Sequence, residues 1–130
     1  MRRSDEILIV GGGLAGSEAA WQLAQRGYSV CLVEMRPAAT TPAHQTDMMG
    51  ELVCTNSLGA DNLTSPAGIL KGELRYLYSL IMEAADHSSV PAGKALAVDR
   101  NVFAGYITKK LSGHPQIRIE RREITELPEE

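Results

Sequence analysis

The stretch Ile7-Leu8-Ile9-Val10-Gly11-Gly12-Gly13-Leu14-Ala15-Gly16, continued to Glu34, decides the fold of this chain. Ile7-Leu8-Ile9-Val10 is an unbroken apolar run, too short for a helix and rich in β-branched residues. A strand buried on both faces of a parallel sheet reads this way. Glycines follow as Gly11-x-Gly13-x-x-Gly16, and Ala19, Ala20, Leu23 and Ala24 then recur at helical spacing. Gly27 stands where that helix should stop, because a glycine takes positive φ at little cost. Tyr28 to Val33 reads as a second strand, ending at Glu34.

The spacing assigns each glycine a task. Gly11 permits a tight turn out of the strand, a side chain at 13 would hold a diphosphate off the backbone, and one at 16 would push the helix off the strand. Gly11, Gly12, Gly13, Leu14, Ala15 and Gly16 are therefore the candidate diphosphate-binding residues, at a helix N-terminus whose amides and dipole favour an anion. Glu34 ends the second strand, where a carboxylate can accept both ribose hydroxyls of an adenosine and disfavours a 2′-phosphate. A glycine triplet alone is a weak signal; here strand, glycines, helix, stop and terminal acid agree in order. Arg36, two residues on, reads either as a cofactor contact over the adenine or near a phosphate, or as a solvated loop arginine.

The 130 residues suffice for one small domain with a core. A net charge of −3 and a pI near 5.6 advertise no basic face for nucleic acid or anionic lipid. Cys31 and Cys54 show no metal-binding spacing; Cys31, between Val30 and Leu32, reads as core, and free thiols fit a reducing cytoplasm. The polar lead Met1 to Glu6 does not read as a signal peptide, and no apolar run is long enough to span a bilayer.

From Met35 to Asn62 no period is sustained, and a long ordered loop in a small domain is usually functional. Within it Glu51-Leu52-Val53-Cys54 reads as a turn of helix or a short strand. Ser65 as N-cap with Pro66 at N1 starts a helix carrying Leu70, Leu74, Leu77, Leu80, Ile81 and Ala84 inward, with Lys71, Glu73 and Arg75 solvated, ending by His87. Ala95-Leu96-Ala97-Val98 reads as a short strand, and Asp99 caps a helix with Val102, Phe103, Tyr106, Ile107 and Leu111 on one face. Ile117-Arg118-Ile119-Glu120 is the third main strand, with Ile124 and Leu127 opening a further element. The fold class is α/β: the N-terminal half of a doubly wound Rossmann-type domain with strand order 3-2-1 and an incomplete sheet.

The seventeen residues between Gly16 and Glu34 resemble the FAD-binding fingerprint of the glutathione-reductase-like flavoproteins. Glu34-Met35-Arg36-Pro37, Thr41-Pro42-Ala43-His44-Gln45-Thr46 and Glu51-Leu52-Val53-Cys54-Thr55-Asn56-Ser57-Leu58 resemble the folate- and FAD-dependent tRNA (uracil-5-)-methyltransferases, as do Val90-Pro91-Ala92-Gly93 and Ala95 to Arg100. The likeness covers essentially the whole chain but only the N-terminal part of that longer family, so residues 1–130 are expected to be the N-terminal portion of an FAD-binding domain, inactive alone. Thr55, Gly59 and Lys94 depart from the family's usual Ser, Arg and Gly.

The resemblance implies methylation of a T-loop uridine of tRNA at C5, with carbon from methylenetetrahydrofolate and reducing equivalents from FADH2, regenerated from FAD by NAD(P)H. It also implies that Cys54 is one of two important cysteines, the other lying beyond residue 130. Alone, Cys54 reads first as a small apolar filler, the commoner fate of a free cysteine, although its loop is polar and open to solvent. His44 belongs to the family motif but reads as structural or solvent-facing rather than as a base, and the resemblance to related flavoproteins puts Arg100 near the flavin. A flavoprotein of another class, acting in tRNA wobble-uridine modification or as a simple oxidoreductase, and a non-catalytic dinucleotide-binding module are the alternatives. No metal and no membrane partner are expected.

Overall fold

The computed structural model describes residues 5–128. The polar lead therefore lies partly outside the described residues, since Met1 to Ser4 are not among them. Strand β1 (Ile7–Val10), helix α1 (Leu14–Gln25) and strand β2 (Val30–Glu34) form in the expected order. β6 (Ile117–Arg121) lies beside β2, so the main sheet runs β1-β2-β6, wholly parallel, which is the expected 3-2-1 half-sheet. All five residues of the central strand β2 are buried. Its side chains alternate between faces: Val30 and Leu32 join Ile117 and the helical residues Ala20, Trp21, Phe103, Ile107 and Leu111 in one core. Cys31 faces the other way, 2% exposed, and burial foremost pushes its thiol pKa up.

The middle of the chain forms a second sheet. β3 (Ser57–Ala60) and β4 (Ser89–Val90) flank β5 (Ala95–Val98) antiparallel. β5 falls where the short strand is expected, whereas β3 lies in the stretch read as irregular and is short, glycine-containing and interrupted in register. Glu51 to Cys54 is neither helix nor strand. Nor does a new element open at Ile124; residues 122–128 are irregular and Leu127 is exposed.

The single helix expected from Ser65 to His87 is two: α2 (Pro66–Tyr76) and α3 (Leu80–Ser88). Ser65 does cap the first, accepting from the Gly68 amide at 3.1 Å. The break is local competition: Tyr78 adopts φ 58, and Ser79 becomes a new N-cap by accepting from Met82 N at 3.1 Å. Glu18 of α1 completes that cap, taking the Leu80 and Ile81 amides at 2.9 and 3.2 Å. The solvated side assigned to α2 is also corrected, for Lys71 is buried while Leu70 and Leu77 are exposed. Gly68 decides this face: a Cβ there would stand 2.0 Å from the Asn62 carbonyl oxygen, so α2 presses its Gly68–Lys71 side inward. α4 (Arg100–Gly113) matches expectation, with Asp99 accepting from the Asn101 and Val102 amides at 3.0 Å and Phe103, Ile107 and Leu111 buried. Val102, expected on that face, is exposed.

Candidate functional site

The turn between β1 and α1 is built as its glycines require. Gly11 has φ +97 and donates to the Val33 carbonyl at 2.7 Å, which ties the turn to β2. A Cβ on Gly16 would stand 1.8 Å from the Gly11 carbonyl oxygen, so helix and turn touch there. One on Gly12 would stand 2.2 Å from the sulfur of Met49. Gly13 differs: nothing lies within 4 Å of the place its Cβ would take. It is the N-cap of α1, with no side-chain cap, and the first helical bond runs from Ser17 N to Gly13 O at 3.0 Å. The amides of Leu14, Ala15 and Gly16 precede that bond and so point out of the helix end.

Glu34 stands at the end of β2, 4% exposed. Its Oε2 accepts from Gly12 N at 2.8 Å, and its Oε1 accepts from Arg36 N at 3.0 Å and Arg36 Nε at 2.8 Å. Burial pushes its pKa up, but the Arg36 and Gly12 hydrogen bonds outweigh that and carry it down to about 2. Glu34 is thus an ionised carboxylate fixed against the glycine turn.

Arg36 is not the solvated arginine of one sequence reading; it is 2% exposed. Its guanidinium reaches back to Glu34 and forward to Glu51 Oε2 at 2.9 Å and the Thr46 carbonyl at 3.2 Å. Glu51 Oε1 accepts from the Gln45 and Thr46 amides at 3.1 and 2.7 Å. Its pKa falls, because the Thr46 and Gln45 bonds and the Arg36 charge outweigh a burial that raises it. Nearby, Gly50 N donates to the Gly12 carbonyl at 2.8 Å, and Met49 is wholly buried.

A cleft of about 310 Å³ opens over this assembly, lined among others by Gly11, Gly13, Glu34, Arg36, His44 and Ile124. The structure therefore gathers Gly11, Gly13, Glu34, Arg36 and Glu51 around one cavity, whose lining does not include Gly12, Leu14, Ala15 or Gly16. His44 is held by Thr41, Nδ1 to Oγ1 at 2.8 Å. Cys54 lies outside that lining and is exposed. Arg100, expected near a flavin, donates from Nη2 to the Cys54 carbonyl at 3.2 Å. Asn56 is pinned to β5, with Nδ2 on the Val98 carbonyl at 3.1 Å and its own carbonyl accepting from Val98 N at 2.9 Å.

Sequence reasoning missed Glu51, Met49 and the segment after β6, which reaches the site through Arg122 N on the Glu34 carbonyl at 3.0 Å. An acid in the loop after an arginine is too common a pattern to signal Glu51. The residues present fit a dinucleotide: an ionised acid one hydrogen bond from a glycine turn, and a cradle that a Cβ on Gly13 would fill.

The sequence model of the glucose inhibited division protein A family, GIDA, matches residues 6–130. The chain belongs to that family. Among curated relatives, the methylenetetrahydrofolate–tRNA-(uracil-5-)-methyltransferase TrmFO of Exiguobacterium sibiricum is 58% identical over 95% of this chain and 28% of its own length. The protein of the same name from Desulfotalea psychrophila is 54% identical over 99% of this chain and 29% of its own length. The chain thus spans less than a third of the relatives it matches. Among solved structures, Aquifex aeolicus GidA superposes with a TM-score of 0.71 over 93% of this chain and 20% of its own, at 19% identity, which is a likeness of fold. This GIDA-family chain has no described helix long and apolar enough to cross a membrane.

Proposed function

We propose that residues 1–130 are the N-terminal portion of an FAD-binding domain. Its protein transfers a one-carbon unit from methylenetetrahydrofolate to C5 of the T-loop uridine of tRNA, in the cytoplasm, with NAD(P)H as reductant. The observation that carries the cofactor reading is the pairing of an open Gly13 with an ionised Glu34 bound to the neighbouring Gly12 amide. The tRNA and folate substrates are supported by the relatives' name, at 58% identity across the matched region.

In this reading the Gly13 to Gly16 amides hold the diphosphate and the positive end of α1 favours its charge. Glu34 has three of roughly four lone-pair positions taken by Gly12 and Arg36, which leaves it one ribose hydroxyl rather than two. When bound and reduced by NAD(P)H, the flavin would supply the two electrons that turn the transferred methylene into a methyl group. Cys54, exposed on a segment held by Arg100 and Asn56, is one of the two thiols of this reading, and a thiolate adding at uracil C6 makes C5 nucleophilic. The isolated chain, spanning less than a third of its relatives' length, binds FAD weakly and transfers no methyl group.

The test is the purified chain titrated with FAD and assayed for methyl transfer to tRNA, alongside the longer protein with and without Cys54→Ala. FAD binding by the chain and loss of methylation with flavin retained in the variant are expected. A chain that ignores FAD, or a Cys54→Ala enzyme of unchanged rate, contradicts the corresponding half of the proposal.

A further inference from the structure

Glu51 sits seventeen positions beyond Glu34, yet the two carboxylates grip one guanidinium. Arg36 is 2% exposed, and its Nε and Nη1 reach Glu34 and Glu51 at 2.8 and 2.9 Å. A buried guanidinium bridging two carboxylates is held from both sides, so neutralising one carboxylate frees that side of it to shift. We propose that Glu51 is a positioning residue for the dinucleotide site, acting through Arg36 on the Glu34 carboxylate and coupling that site to the 45–51 loop. The proposal rests on the dinucleotide reading above and adds to it a residue on the cleft's lining that acts on Glu34 through Arg36.

Two connections make the coupling specific. One is the carboxylate–guanidinium–carboxylate chain, whose far end is closed by the Gln45 and Thr46 amides on Glu51 Oε1 at 3.1 and 2.7 Å. The other is the Gly50 amide on the Gly12 carbonyl at 2.8 Å, one residue before Glu51. Gly12 therefore receives the loop at its carbonyl while its own amide holds Glu34 at 2.8 Å. Both connections end on the turn that faces the cleft. A ligand that locks Glu34 and the glycine turn must stabilise the loop, and by reciprocity an ordered loop must tighten the ligand. Three residues after Glu51 the chain reaches Cys54, so the segment bearing the thiol starts from this anchor.

The experiment is FAD titration of the 130-residue chain by calorimetry in four forms: unsubstituted, Glu51→Gln, Arg36→Met and the double variant. Glu51→Gln keeps the shape and an acceptor for the Thr46 amide while removing the charge that fixes Arg36. It is expected to weaken FAD binding roughly tenfold when Arg36 is present and less than twofold when Arg36 is Met. A merely structural role for Glu51 gives the same loss in both backgrounds. That result, or unchanged binding by Glu51→Gln, overturns the proposal and leaves the dinucleotide reading standing. Absence of FAD binding by the unsubstituted chain overturns both.

A second arm needs no substitution and covers the case in which Arg36→Met does not fold. Saturating FAD is expected to slow hydrogen exchange at the Gln45, Thr46 and Gly50 amides at least severalfold. Binding that leaves those amides unchanged contradicts the coupling.

Discussion

The amide of Gly12 donates to the carboxylate of Glu34 at 2.8 Å, so the glycine turn and the acid ending β2 are one hydrogen-bonded unit. Residues 22 positions apart are joined because β1 and β2 are parallel neighbours in register from Ile7 with Val30 to Val10 with Val33. Glu34→Ala would leave the Gly12 amide and the buried Arg36 short of their acceptor. We expect a loss of about 3–5 kcal/mol in urea unfolding, together with loss of FAD binding. A variant of native stability would show that Glu34 does not anchor Arg36.

Acid stability follows from the same pair. The Glu34 pKa is about 2 folded against an ordinary 4.5, so the carboxylate stabilises the fold fully above the ordinary value. That contribution, roughly 3 kcal/mol, is lost as pH falls from 4.5 towards 2. Glu51, Glu83 and Glu120 are lowered too and add in the same direction. Far-UV circular dichroism during acid titration should show stability falling only below about pH 5. Arg36→Met, which lets burial dominate at Glu34, should raise the unfolding midpoint by about one pH unit or more. An unchanged midpoint would remove Arg36 from the linkage.

Gly16 and Gly13 separate packing from binding. A methyl group on Gly16 meets the Gly11 carbonyl oxygen at 1.8 Å, so Gly16→Ala should destabilise by about 1–3 kcal/mol or more. A methyl group on Gly13 meets nothing, so Gly13→Ala should unfold within about 1 kcal/mol of the parent while binding FAD at least tenfold more weakly. Equal stability losses in the two variants would contradict this division.

Much of this was legible because the signals were local. The strand–turn–helix of Ile7 to Gln25 and the Asp99 cap rest on spacing that short-range sterics impose, and the parallel pairing of β6 with β2 follows from the doubly wound topology. The α2–α3 break was hidden because Leu70, Leu74, Leu77 and Leu80 keep an unbroken helical period across it. Tyr78 in the left-handed region and the Glu18 carboxylate at the α3 N-terminus decide the matter, and Glu18 acts from 62 residues away. The same holds for Lys71, whose burial follows from Gly68 meeting Asn62. In the site, the glycines and Glu34 were readable, but the task of Arg36 depends on Glu51, a partner that only the folded loop supplies.

The two cysteines should differ sharply in chemistry. Cys54 is exposed, while Cys31 is buried in the central strand and its thiol pKa is raised, first by burial. Iodoacetamide at pH 8 should modify Cys54 at least a hundredfold faster than Cys31, with Cys31 reacting only on unfolding. Comparable rates by mass spectrometry would mean that β2 opens readily.

The most direct test of the central claim is an FAD titration of the ¹⁵N-labelled chain followed amide by amide. The largest shifts should fall on Gly13, Leu14, Ala15 and Gly16, with Gly12 following through its bond to Glu34. Shifts concentrated elsewhere, with these amides unmoved at saturation, would contradict the diphosphate cradle.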